Sequence, residues 1–145
     1  MTRKSLFSAA AVAVGMMVAT VCARSATVQA QAPALGTVQL TIGVMADGKA
    51  LPAGSYSLRV SSDTVAPVTG QGPDRATWVE FVQDGQVKGR ELASVVPAGD
   101  VRAVMADTPP AADAPKAERL KGGEYLRVWA NHGGSHYLVH LVVAR

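Results

Sequence analysis

The chain has 145 residues, of which 48% are hydrophobic, 17% charged and only 5% aromatic, with a single cysteine. That is room for one ordinary domain. It excludes a multidomain enzyme, a disulfide-stapled mini-protein, a Cys-rich zinc module and a polytopic membrane protein.

The chain starts with a basic end, Arg3 and Lys4, and continues through Leu6 to Val21, 16 residues without a charge. The run is short for the ~20 residues that span a bilayer. Small residues follow, and Val28-Gln29-Ala30 places small or aliphatic side chains where a signal peptidase reads. Residues 1–30 are therefore expected to be a Sec-type signal peptide, with cleavage after Ala30. Ala23 and Ala32 are alternative cleavage points. Lipid attachment at Cys22 is a lesser alternative, because Val21 stands where a lipobox wants a small residue. The expected location is periplasmic or extracellular, with no membrane span after cleavage.

Removing residues 1–30 takes away Arg3, Lys4 and Arg24 and no acid. Fourteen basic residues less three leave eleven, against eleven acidic ones. A net charge of zero gives no reason to expect nucleic acid as a partner. The mature chain also has no cysteine, so its stability must come from the core alone.

Residues 31–36 read as a flexible lead-in to a domain spanning 37–145. Thr37–Val44 alternates with Val38, Leu40, Ile42 and Val44 on one face, as a strand does. Asp47-Gly48 signals a turn. Tyr56, Leu58 and Val60 share the face of a second strand. Ser61–Ala76 is rich in Gly, Pro, Ser and Asp and reads as a long surface loop.

Trp78–Val82 and Val87–Val96 flank Asp84-Gly85, a hairpin signal. A two-residue turn places Phe81 opposite Lys88. A three-residue loop with Gly85 left-handed places Glu80 opposite Arg90, Trp78 opposite Leu92 and Phe81 over Gly89. The second register gives the better cross-strand pairs and is preferred. Val101, Val104 and Met105 have helical spacing behind Asp100, which predicts a short helical turn capped by that aspartate. Asp107–Pro115 holds three prolines in nine residues and reads as a loop. Tyr125–Ala130 and Tyr137–Val143 form a second hairpin across Asn131–Ser135.

Six or seven short strands, few helix formers and no βαβ alternation predict an all-β fold. The expected architecture is a single antiparallel β-sandwich with one short helical turn. DGKALPAGSYSLRV (Asp47–Val60) resembles the strand-leading motif of bacterial prealbumin-like, carboxypeptidase-regulatory-like β-sandwiches. The resemblance covers 14 residues. It implies an accessory sandwich and transfers no catalytic residue.

No catalytic set is legible. There is no G-x-S-x-G, the only cysteine leaves with the leader, and Glu80 and Glu91 are expected on opposite faces of their hairpin. No cofactor is implied. His132, His136 and His140 recur every four residues, but on a strand His136 and His140 stand roughly 13 Å apart. They are carried as speculative metal ligands. Trp78, Trp129 and Tyr125 are carried as speculative ligand-binding aromatics. The leading expectation is a non-catalytic binding or structural domain of unknown ligand. A carbohydrate- or cell-wall-binding module and a periplasmic metal-binding protein are the alternatives. The expected partner is a glycan or another extracytoplasmic protein.

Overall fold

A computed structural model describes residues 31–66, 69–70 and 72–145. The expected leader, with Ala23, Ala30 and Cys22, lies outside the described residues; the alternative cleavage point Ala32 lies within them. No helix among them is long and apolar enough to cross a membrane.

Among the described residues nine strands form: β1 (Ala34–Leu40), β2 (Val44–Ala46), β3 (Lys49–Leu51), β4 (Gly54–Val60), β5 (Ala76–Gln83), β6 (Gln86–Pro97), β7 (Lys116–Arg119), β8 (Tyr125–His132) and β9 (Ser135–Val143). A helical turn, α1 (Val101–Val104), follows β6, and a second one, a 3-10 turn at Pro73–Arg75 not expected from the sequence, precedes β5. All pairings are antiparallel, in the order β1-β4-β5-β6-β9-β2-β3, with β8 on the other edge of β9 and β7 beyond it. The all-β, antiparallel expectation therefore holds. The two halves belong to one nearly closed sheet. β6 pairs with β5 through Ser94 and with β9 from Ala93 onward, so it passes from one half to the other.

The strand count exceeds the expectation for local reasons. The Thr37–Val44 run breaks after Leu40, because β1 follows β4 while β2 pairs with the end of β9. β7 has no alternating apolar pattern and was not foreseen. The expected lead-in is also too long: strand begins at Ala34, and Leu35 is fully buried.

Gly36 marks the seam where the sheet nearly closes. Its φ is +100°, and a Cβ built there would stand 2.2 Å from the carbonyl oxygen of Asp113. Only glycine lets β1 approach the segment ahead of β7.

The β5–β6 register is the preferred one: Glu80 faces Arg90, Trp78 faces Leu92 and Phe81 faces Gly89. The device behind it differs. Asp84 and Gly85 both have positive φ, 52° and 73°, and form a two-residue turn. Val82 then pairs with Val87, and the register shifts before Phe81, leaving Lys88 as a bulge. The space above Gly89 is filled by Leu51 and Ala46 of the β2–β3 hairpin, not by Phe81. Asp100 does not cap α1 with its side chain. That carboxylate lies 3.7 Å from Arg75 instead.

Two apolar clusters result. The main core inside the sheet includes Leu35, Val38, Leu40, Tyr56, Leu58, Phe81, Leu126, Val128 and Leu141. Tyr56 meets Phe81 edge-on at 6.2 Å and donates its hydroxyl to the Pro52 carbonyl at 2.8 Å. A smaller cluster of Val96, Val101, Trp129 and Leu138, with Met105, lies on the outer face of β6, β8 and β9.

Candidate ligand-binding site

Alternation along β8 puts Leu126, Val128 and Ala130 in the core and Tyr125, Arg127 and Trp129 on the outer face. That outer face is not open throughout. The segment from Met105 to Pro110 lies across it. Arg127 donates to the carboxylates of Asp107 (2.7 Å) and Glu118 (2.6 Å). Asn131 donates to the Pro110 carbonyl and Lys116 to the Thr108 carbonyl. The cover leaves Trp129 fully buried. Lys116 and Arg127 sit against its ring, and its Nε1 donates to His136 Nδ1 at 3.0 Å. Trp129 is thus a core residue and offers no platform to a ligand.

The histidines do not converge. His136 is buried, and burial lowers its pKa. His132 shares its Nδ1 with the Asp113 carboxylate at 2.5 Å. His140 is exposed at its rim and lies opposite Arg127; its pKa is lowered by partial desolvation first and by that guanidinium second. Asn131, not His132, faces His136 across the hairpin, so His132 and His136 fall on opposite faces. Among the described residues no group of three or more His, Cys, Asp or Glu side chains could hold a metal ion.

Trp78 is half-buried beneath Arg90, whose guanidinium carbon lies 4.5 Å from the ring centre. Arg90 is held in turn by Asp63 at 2.5 Å. Glu80, opposite Arg90 in register, pairs instead with Arg59. Glu91 accepts from the Asp47 backbone N–H at 2.7 Å, away from Glu80, so the two glutamates do face apart.

Tyr125 is the sequence-singled aromatic that stays open, 46% exposed beside its cross-strand partner Val142 at 49%. Both border a cleft of about 400 Å³ with Arg119, Glu124 and Arg145. The walls are set by backbone bonds. The β7–β8 turn closes through Gly123 N–H to the Leu120 carbonyl and Leu120 N–H to the Tyr125 carbonyl, each at 2.9 Å. Val143 N–H donates to the Glu124 carbonyl at 2.8 Å. Gly122 and Gly123 both take positive φ there. Arg119 donates Nε and Nη2 to the Gly123 carbonyl, at 3.0 and 2.9 Å. Arg119, Glu124, Val142 and Arg145 were not foreseen as site residues. The Gly122-Gly123 pair is the signal of this turn that the sequence carries.

A larger cleft of about 570 Å³ lies between Gln31–Ala34, Ser57, Arg59, Val82 and His132. It holds no phenylalanine, tyrosine or tryptophan ring, and Gln31–Ala34 form one wall. The Tyr125 cleft is built from paired strands and a bonded turn, and is the better-defined site. Comparison of the chain with protein-family models, with curated proteins and with solved structures returns no match.

Proposed function

We propose that this chain is an extracytoplasmic, non-catalytic binding domain that takes a sugar ring at the Tyr125 cleft. The extracytoplasmic part rests on the leader-like Met1–Ala30 segment. The single observation that carries the site is the exposed Tyr125–Val142 pair bordered by guanidinium and carboxylate groups. Apolar side chains left open on a sheet face attract an apolar surface. A pyranose offers one in its C–H face, while its rim of hydroxyls needs polar partners. An aromatic with charged neighbours meets both requirements.

The test uses the full chain exported from a Gram-negative host. The mass of the recovered protein reads the cleavage point, with Ala30 expected as the last residue removed. Binding to a panel of monosaccharides and cell-wall fragments is then followed by NMR shifts of the tyrosine rings. Shifts at Tyr125 that vanish in Tyr125→Ala support the reading. A Tyr125→Ala protein that binds as the parent does would sink it.

A further inference from the structure

We propose that the sugar taken at this cleft carries a carboxylate, as a uronic acid does. The inference rests on the sugar-binding reading of Tyr125 and adds the charge of its ligand. Three charged side chains line the cleft: Arg119, Arg145 and Glu124. Arg145 lies 3.9 Å from Glu124, so those two offset each other. Arg119 pairs with no carboxylate among the described residues. Arg119 is therefore the guanidinium of the cleft that no carboxylate holds.

The geometry of Arg119 says what kind of anion suits it. Its Nε and Nη2 both point at the Gly123 carbonyl. That bond uses one side of the planar guanidinium and holds the plane still. The end formed by Nη1 and Nη2 remains, two parallel N–H groups spaced to meet both oxygens of a carboxylate. Gly123 is part of the arrangement. Its φ is +74°, and a Cβ there would stand 3.1 Å from Arg119 Nη2. A side chain at that position would be strained by the positive φ and would crowd the guanidinium, which would have to give by a few tenths of an ångström. Tyr125 and Arg119 border one cleft, so one ligand can use both.

The experiment compares methyl β-glucopyranoside with methyl β-glucuronide, identical but for the carboxylate, on the exported full chain at low salt. The glucuronide is expected to bind about tenfold more tightly. Arg119→Gln should abolish the preference. Because Arg119 also braces the turn, Glu124→Gln gives an independent check. Glu124 is exposed, and removing its charge releases Arg145, so glucuronide binding should strengthen. Equal binding of the two sugars overturns the carboxylate inference and leaves the Tyr125 reading standing. Binding of neither overturns both. Acetate competing as well as the glucuronide also overturns the inference, since the sugar ring would then add nothing.

Discussion

Trp129 Nε1 donates to His136 Nδ1 at 3.0 Å inside the smaller apolar cluster. The bond fixes the protonation state of the imidazole. Nδ1 must be bare to accept, so the ring proton sits on Nε2. A second proton would have to displace the indole N–H. It would also place a charge in a buried site beside Trp129, Asn131 and Val96, with Lys116 and Arg127 already against the tryptophan.

Stability should therefore fall in mild acid. Burial lowers the folded-state pKa of His136 from the ordinary 6.5. The unfolded chain then binds the proton more readily than the folded one. This contribution is fully present above about pH 6.5 and is lost as pH falls below it. His140, lowered by burial and by Arg127, acts in the same direction. Melting temperature measured from pH 7.5 to 4.5 should drop in the parent. The drop should be smaller in His136→Phe than in the parent. An equal slope in both proteins would refute the assignment to His136.

Trp129→Phe keeps most of the apolar volume and removes the donor. His136 is then left with an unsatisfied buried acceptor, which costs about 1–3 kcal/mol. Urea unfolding should show a lower midpoint with an unchanged slope. A midpoint equal to the parent's would mean that water satisfies Nδ1 as well as the indole does.

Gly36→Ala should destabilise by about 2 kcal/mol or more, from left-handed strain and from the clash with the Asp113 carbonyl. Gly85→Ala is the control. Its φ is +73° with no atom within 4 Å, so strain alone is expected. Thermal unfolding of the two variants should rank Gly36→Ala well below Gly85→Ala.

Arg127→Met should loosen the cover over Trp129. The guanidinium ties Asp107 and Glu118 to β8, and its carbon lies 5.5 Å from the centre of the indole ring. Both carboxylates reach solvent, so the loss should be about 1–2 kcal/mol, below that of a fully buried pair. Hydrogen exchange should quicken in residues 105–118 before the rest of the chain. Uniform quickening would argue that Arg127 supports the whole sheet equally.

Much of the fold was legible where neighbours in sequence are neighbours in space. Turn residues with positive φ marked the β2–β3 and β5–β6 hairpins, and period-two alternation marked their faces. The Phe81–Gly89 register could be argued from cross-strand chemistry because hairpin partners are only a few residues apart. The Glu80–Arg90 pair shows the limit. The register brought the two together, yet Glu80 bonds Arg59 of β4 and Arg90 bonds Asp63 of the following loop. Side-chain choice at the surface depends on every strand within reach, including those far away in the chain.

The candidate site divides in the same way. Strand alternation alone placed Tyr125, Arg127 and Trp129 on one face. It could not say that Met105–Pro110 crosses that face and buries Trp129 while leaving Tyr125 open. Nor could it set Arg119 at the end of β7 and Glu124 of the β7–β8 turn beside Val142 of β9 and Arg145 beyond it. By itself, the sequence determined the fold class, the hairpins and which residues alternate inward, because these follow from backbone sterics and a local period of two. The tertiary structure decided which outward residues stay in water, because that depends on segments brought across the sheet from distant parts of the chain.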